Sequence, residues 1–128
     1  MKRLILMRHA KSDWNTPAQD DHARPLNARR RAAATTIGDW MRAQAYVPQQ
    51  VLCSSAVRTR ETCLRLGLSD DVQIETHQAL YLASPETILE TLRKATRNCV
   101  LVLGHNPGIA AFAGEVLQNA PAHPGFRQ

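Results

Sequence analysis

The stretch that decides the fold is residues 4–12, which read Leu-Ile-Leu-Met-Arg-His-Ala-Lys-Ser. Four consecutive apolar residues bounded by charges are typical of a strand that is buried on both faces of a parallel sheet. Functional groups gather beyond the carboxyl ends of such strands, so we expect Arg8 and His9 at the functional edge. Residues 100–103, Val-Leu-Val-Leu, repeat the pattern and run into Gly-His-Asn-Pro-Gly at residues 104–108. Two histidines therefore follow two predicted buried strands.

Length and composition predict one globular domain spanning residues 1–128. The chain has 128 residues, enough for one core, and its hydrophobic content of 44% and charged content of 21% are globular values. No apolar run is long enough for a membrane span, and the start does not fit a signal peptide. We therefore expect a cytoplasmic protein without a membrane partner.

The three cysteines, Cys53, Cys63 and Cys99, are an odd number without the spacing of metal ligands. Such cysteines in a protein predicted to be cytoplasmic are more typical of reduced thiols than of a disulfide framework. We expect all three to be buried and free.

The net charge of +5 comes from thirteen arginines and three lysines, which suits an anionic partner such as a phosphate group or a nucleic acid. Residues 29–31 are a run of three arginines, but no aromatic residues are interleaved with them for base stacking. This run is therefore interpreted as a solvated helix face, and no nucleic-acid partner is predicted.

The first helix is predicted to begin after Asn27, a good capping residue, and to run to about Ala45. Its helical periodicity predicts a buried face made of Ala33, Ile37, Trp40 and Met41.

Shorter elements follow along the chain. Residues 51–53 form a predicted strand, and a helix beginning within residues 54–62 would present free backbone N–H groups to an anion. Residues 73–76 are a marginal strand. Ser84 and Pro85 open a further helix with the buried stripe Ile88, Leu89, Leu92 and Ala95. A last helix should pack on the sheet through Ile109, Phe112, Ala113, Val116 and Leu117.

Two arginines and two histidines should converge at the carboxyl edge of the sheet: Arg8, His9, Arg58 and His105. A neutral imidazole is a competent nucleophile for phosphorus, and guanidinium groups match phosphoryl oxygens in charge and shape. A metal centre is the rival use of two histidines. It would need further ligands beside two repelling arginines, and the candidates for that role are Asp13, Asp20 and Asp21. We therefore predict no metal and no cofactor.

At these residues the sequence resembles the histidine phosphatase superfamily, in particular its SixA-like phosphohistidine phosphatase branch. The similarity rests on four segments in matching order, and it covers essentially the whole chain. Residues 8–15 are similar to the opening Arg-His signature out to its Trp-Asn, and residues 24–26 to an Arg-Pro-Leu element before the first helix. Residues 54–62 and 104–108 are similar to the segments that carry the second arginine and the second histidine.

The resemblance implies a three-layer α/β/α sandwich of the phosphoglycerate mutase-like type, with a mostly parallel sheet, and a metal-free reaction. It implies that His9 attacks phosphorus and forms a transient phosphohistidine, which water then hydrolyses. It also implies that Arg8, Arg58 and His105 stabilise charge on the equatorial oxygens. Ser12, Asn15 and Arg24 are candidates for binding substrate or shaping the rim, and a local turn or capping role is equally open for each.

One departure from the superfamily concerns the general acid. Other branches supply a glutamate between the second arginine and the second histidine, and none of Glu75, Glu86 and Glu90 lies in a matching motif. The acid therefore stays unassigned. The imidazole of a phosphohistidine substrate can leave already protonated, so this departure favours the SixA-like interpretation.

A second departure is the end of the sequence. Relatives continue past residues 126–128 into a further strand, so we predict a domain without that C-terminal strand. The sheet edge left exposed would offer a route to an oligomer.

The sequence thus favours a phosphatase acting on a phosphorylated substrate, most specifically a phosphohistidine-bearing protein. Hydrolysis of a small phosphomonoester or phosphoanhydride would use the same four residues, but the short loops around the predicted pocket suit a protein substrate. A non-catalytic phosphate-binding or adaptor module would need the arginines and could lose either histidine, and both histidines are present. A nucleic-acid module is supported by charge alone.

Overall fold

The computed structural model of the protein describes residues 3–9 and 20–119, with the side chains of the last helix described as far as residue 117. Four strands alternate with helices along the chain. They are β1 (Arg3–Arg8), α1 (Ala28–Ala43), β2 (Gln50–Ser54), α2 (Val57–Arg65), β3 (Gln73–His77), a 3₁₀ turn (Gln78–Leu80), α3 (Pro85–Leu92), β4 (Cys99–Gly104) and α4 (Gly108–Asn119).

The described strands form one parallel sheet in the order β1-β4-β2-β3. The register pairs Arg8 with Gly104 and Cys53 with Leu103, so the carboxyl ends of β1, β4 and β2 lie side by side. The predicted parallel α/β fold is confirmed. The chain moves from edge strand β1 to β2 and β3 and returns to β4, and this reversal places a crevice at the carboxyl ends of the strands.

Two apolar clusters on opposite faces of the sheet make the three layers. Successive strand residues point to opposite faces. Leu52, Val100 and Val102 pack with α3 and α4, whereas Val51, Leu101 and Leu103 pack with α1 and α2. The predicted packing of the last helix on the sheet is confirmed, since Ile109 and Phe112 belong to the first cluster.

The prediction that the first strand is fully buried on both faces is wrong, because its side chains are only partly buried. In the described part of the chain β1 pairs only with β4, and its apolar residues Leu4, Ile5, Leu6 and Met7 are half-buried. The apolar residues of β2 and of most of β4 are fully buried because those strands lie inside the sheet. The predicted absence of a C-terminal strand concerns residues outside the described ranges, and it stays a prediction together with the proposed oligomer edge.

Helix α1 begins where predicted, because Asn27 Oδ1 accepts a hydrogen bond of 2.9 Å from the backbone N–H of Arg30. The buried face of α1 is rotated about the helix axis relative to the predicted one, so that part of the prediction is wrong. Only Met41 of the large residues is buried, with Ala34 and Gly38 beside it, whereas Ile37 is 40% and Trp40 55% exposed. The helix approaches its neighbour through small residues, so the larger side chains lie beside the contact.

Helix α3 also begins at the predicted cap, where Ser84 Oγ accepts from the backbone N–H of Thr87 at 3.3 Å. In α3 and α4, Ile88, Leu92, Ile109 and Phe112 are buried as predicted, and Ala95, just beyond α3, packs against the same cluster. Ala113 and Val116 are half-buried, and Val116 packs against the same cluster. The prediction is wrong for Leu89 and Leu117, which lie at the margins of their stripes and are 38% and 46% exposed.

The three cysteines are free, as predicted. Cys53 and Cys63 are buried between β2 and α2, and Cys99 is only half-buried because it begins β4 at the amino end of the sheet. None of the helices in the described ranges is both long enough and apolar enough to cross a membrane.

Gly38→Ala should destabilise the protein by roughly 1–3 kcal/mol, because a methyl group there would lie 2.1 Å from the backbone oxygen of Leu66 and force α1 away from α2. Gly114→Ala in α4 is the matched control, since a methyl group there meets nothing within 4 Å. The control should stabilise by about 0.5–1 kcal/mol through helix propensity. Urea unfolding of both variants measures the difference, and equal stabilities would contradict the close helix contact.

Candidate active site

Three neighbouring strands place three of the predicted residues together. His9 follows β1, His105 follows β4, and Arg58 lies in the first turn of α2 after β2. The ring centroids of the two histidines are 5.1 Å apart. Arg58 contacts both rings, with its Nε 3.3 Å from His9 Nε2 and one Nη 3.4 Å from His105 Nδ1. The crevice at the strand ends therefore holds a cation bonded to two imidazoles.

The other predicted site residues are placed less fully. Arg8 ends β1 beside His9, and its exposed side chain makes no hydrogen bond within the described ranges. Ser12 and Asn15 lie outside the described residues. Arg24 is buried, and one of its Nη atoms donates to the carboxylate of Asp21. The substrate-binding roles of these residues stay predictions.

The protonation of His9 follows from the donor that faces it. A guanidinium N–H can only donate a hydrogen bond, so His9 Nε2 accepts and carries its lone pair there. A neutral imidazole with a lone pair on Nε2 has the form that a nucleophile at phosphorus needs.

His105 is neutral for the same reason and for a second one. Its Nδ1 accepts from the guanidinium of Arg58, so Nε2 is the protonated nitrogen and donates to Ser54 Oγ, 2.7 Å away at the end of β2. Burial, followed by the positive charge of Arg58, lowers the pKa of His105 from 6.5 to about 4. The ring therefore faces the site as an uncharged group.

Asp21 is the anionic group of the site and contacts Arg58 at two of its atoms. Its backbone oxygen accepts from Arg58 Nη1 at 2.7 Å, and its Oδ2 accepts from Arg58 Nη2 at 3.1 Å. Arg24 and Tyr81 also donate to its carboxylate. The pKa of Asp21 is held well below its usual range, mainly by the hydrogen bond from Arg24 and next by the hydrogen bond from Tyr81. Asp21 is therefore a carboxylate at neutral pH.

Tyr81 forms an aromatic wall of the site. Its ring stands edge-on to His105 with centroids 5.5 Å apart, and edge-on to His22 at 4.9 Å. Burial and the hydrogen bond to Asp21 raise the pKa of Tyr81, so its hydroxyl stays protonated and donates a hydrogen bond to Oδ2. Tyr81 therefore both lines the site and donates to Asp21, the carboxylate that contacts Arg58.

His22 ties the start of α2 to the preceding loop. Its Nε2 lies 2.8 Å from Ser55 Oγ, and its backbone oxygen accepts from the N–H of Val57 at 2.9 Å. The prediction that the first amides of this helix are free for an anion is therefore wrong for Val57. The amide is already bonded because the loop folds back over the helix start.

Glu61 links the Arg-Pro-Leu element to α2. Its two carboxylate oxygens accept from the backbone N–H of Leu26 at 2.9 Å and from Arg31 Nε at 3.0 Å. One member of the predicted arginine run is therefore paired rather than simply solvated.

Sequence patterns missed Asp21 and Tyr81 as members of the site around Arg58. Asp21 was considered only as a metal ligand, although its position three residues before Arg24 is a usable signal for an ion pair. Tyr81 is a single aromatic residue after a marginal strand, and nothing in its local pattern indicates a role.

The glutamates considered as general acids lie elsewhere. Glu75 accepts from Gln50 at 2.5 Å and from His77 at 3.1 Å, and the hydrogen bond from Gln50 is the main cause that lowers its pKa. Glu86 and Glu90 are exposed on α3. Across residues 3–9 and 20–119, no group of three or more histidine, cysteine, aspartate or glutamate side chains is arranged to hold a metal ion.

Comparisons with known proteins agree with this geometry. The model of the histidine phosphatase superfamily (branch 1) matches residues 4–81. An uncharacterized protein of Mycobacterium tuberculosis is 38% identical over 109 residues, which are 84% of this chain and 67% of the relative. The structure of a candidate phosphohistidine phosphatase SixA from Agrobacterium tumefaciens matches 92% of this chain and 78% of its own, with a TM-score of 0.86 and 31% identity.

The structure of the protein histidine phosphatase SixA in complex with tungstate shares the fold, with a TM-score of 0.77 and 23% identity over 88% of this chain and 75% of its own. The fold and these matches together define a phosphatase with a parallel α/β/α architecture. The chain belongs to the histidine phosphatase superfamily, which confirms the resemblance seen in the sequence.

Acid should destabilise the protein through His105. Its pKa is 6.5 when unfolded and about 4 when folded, so the unfolded chain binds more protons below pH 6.5 and stability falls as the pH falls. The loss should be roughly 2 kcal/mol between pH 7 and pH 5. Urea unfolding across this range, with His105→Gln as the control, measures the slope. An equal slope in the two proteins would contradict a buried neutral ring.

Proposed function

We propose that the protein hydrolyses phosphohistidine on a protein substrate through a phosphorylated His9. The observation that carries the proposal is the contact of Arg58 with both His9 and His105 at the carboxyl edge of the sheet. This arrangement puts a fixed cation beside an unprotonated nitrogen. Positive charge close to a nucleophile is what an incoming phosphoryl group requires.

The reaction proceeds in two displacements at phosphorus. The lone pair of His9 Nε2 attacks the phosphoryl group in line, and the bond from phosphorus to the substrate nitrogen breaks. Water then attacks the phosphohistidine, the bond to His9 Nε2 breaks, and inorganic phosphate leaves while a proton from the water passes to solvent. Arg8 and Arg58 stabilise the equatorial oxygens in both steps. The direct contact expected of His105 needs an N–H directed at these oxygens, but in the resting protein its Nδ1 accepts from Arg58 and its Nε2 faces Ser54, so His105 contributes by holding Arg58.

The charge state of the carboxylates near Arg58 supports a phosphohistidine substrate. An alkoxide leaving group needs a proton donor, but Asp21 is ionised and held by two arginines and a tyrosine. An imidazole leaving group that is already protonated needs no such donor. The 31% identity to the candidate SixA from Agrobacterium tumefaciens points to the same substrate class.

A substrate panel tests the proposal. It compares kcat/KM for a phosphohistidine peptide, a phosphoserine peptide, sugar phosphates and nucleotides, each with and without EDTA. We expect the phosphohistidine peptide to be the best substrate and EDTA to have no effect. A preference for sugar phosphates or nucleotides would favour the small-molecule alternative, and phosphate binding without turnover would favour an adaptor. Activity lost in EDTA and restored by zinc or magnesium would contradict the metal-free mechanism.

A further inference from the structure

We propose that Asp21 is a positioning residue, which holds the guanidinium of Arg58 in contact with the two active-site histidines. The inference rests on the proposed catalytic role of Arg58 and adds to it the origin of that residue's orientation. Asp21 contacts Arg58 at two separate atoms, its backbone oxygen and its carboxylate Oδ2.

The donors of Arg58 divide into two sides. Among the described residues, Nη1 donates only to Asp21, Nε donates to His9, and Nη2 is shared between Asp21 Oδ2 and His105 Nδ1. Two contacts from one residue fix the plane of the guanidinium, since a planar fork held at two nitrogens cannot rotate freely. The edge that carries Nε is then directed at the histidines.

The burial of Arg58 requires a negatively charged partner close to its guanidinium. The Arg58 side chain is 3% exposed, and a cation removed from water needs a partner of opposite charge. Within the described ranges, Asp21 is the carboxylate paired with Arg58. The negative charge of Asp21 also acts on His105, where it raises the pKa and so opposes the lowering caused by Arg58.

Asp21 is itself fixed, which a positioning residue must be. Arg24 Nη2 donates to Oδ1, and the hydroxyl of Tyr81 donates to Oδ2 beside Arg58. The Arg24 side chain is only 7% exposed, so this support comes from a buried group rather than from a mobile surface chain. The orientation of Arg58 is therefore transmitted from the loop before α1 rather than set by α2 alone.

Substitution of Asp21 separates its two contacts. Asp21→Ala keeps the backbone oxygen and removes the carboxylate. Asp21→Asn keeps one acceptor oxygen, removes the charge and presents N–H groups to the donors of Arg24, Arg58 or Tyr81. Asp39→Asn is the matched control, because Asp39 also pairs with an arginine three residues later, Arg42, but lies on α1 without contact to Arg58.

The test measures kcat and KM for the best substrate of the panel, together with the pKa of His105 by NMR. We expect Asp21→Ala to lower kcat by about 10²-fold, the size of effect that misplacing a catalytic group produces, with a smaller change in KM. Asp39→Asn should match the wild type. Asp21→Asn should lower the pKa of His105 below its wild-type value, because the opposing negative charge is lost.

A double-mutant cycle with Arg58→Ala shows whether Asp21 acts through Arg58. Asp21→Ala should have little further effect on kcat once Arg58 is absent, because there is nothing left to position. If the losses of kcat caused by the two substitutions multiplied independently, the inference would be overturned. Wild-type kcat in both Asp21→Asn and Asp21→Ala would also overturn it. If Arg58→Ala alone were fully active, the proposed function would fail. A large loss in Arg58→Ala with none in the Asp21 variants would overturn the positioning role alone. Should Asp21→Ala not fold, the same cycle is run with Asp21→Asn.

Discussion

His9→Ala should reduce kcat/KM by roughly 10⁴-fold or more, because the substitution removes the atom proposed to form the new bond to phosphorus. Rapid acid-free quenching with a labelled substrate should trap phosphate on the wild-type protein, and that label should be stable in base and labile in acid. The variant should trap none. His77→Ala is the matched control, since His77 pairs with Glu75 on β3 and should leave labelling unchanged.

Label that persisted on the His9→Ala protein would reassign the nucleophile. Label on Cys53 or Cys63 would replace a phosphohistidine by a phosphocysteine intermediate. Both thiols are buried, so we expect neither to be labelled.

Arg58→Lys should lower kcat by about 10²–10³-fold, the loss typical of removing one preorganised donor to a transition-state oxyanion. A lysine keeps the positive charge, but its single nitrogen cannot contact Asp21, His9 and His105 as the guanidinium does. Arg60→Lys is the control, because Arg60 is exposed two residues further along α2. Steady-state kinetics of the two variants measure the effect. Equal activity of Arg58→Lys and the wild type would show that charge alone suffices.

The strands and the positions of His9 and His105 at their carboxyl ends could be predicted because their signal is local. An apolar run that ends at a histidine marks both a buried strand and its carboxyl end, as at His9 and His105. Parallel pairing then brings the ends together without further information. Helix starts at Asn27 and Ser84 were equally local, since a capping side chain bonds to an amide three residues away.

The errors concern features that depend on distant residues. The partial burial of β1 follows from strand order, which no segment of the sequence encodes by itself. The face of α1 was misassigned because its closest contact uses Gly38 against the backbone of Leu66, and periodicity gives weight to large residues such as Trp40. Trp40 instead lies against Tyr46, with ring centroids 5.6 Å apart.

Asp21 and Tyr81 illustrate the same limit within the site. They come from a loop and from the residue after a 3₁₀ turn, sixty residues apart in the chain, and they meet beside Arg58. Such a pair has no periodicity that a sequence pattern can detect. Its importance is visible only when the hydrogen bonds of Arg58 are counted.

The hydrogen bond from Arg58 Nε to His9 Nε2 also bears on how this enzyme would respond to inhibitors. The lone pair proposed as the nucleophile already accepts this hydrogen bond in the resting protein, so a neutral electrophile should alkylate the nitrogen slowly. An anionic group accepts the Nε hydrogen bond in place of His9, while Asp21 keeps the guanidinium in its plane, and this exchange uncovers the nitrogen when a reactive centre is beside it. Effective covalent inhibitors of this phosphatase should therefore carry a phosphate-like anion next to their electrophile.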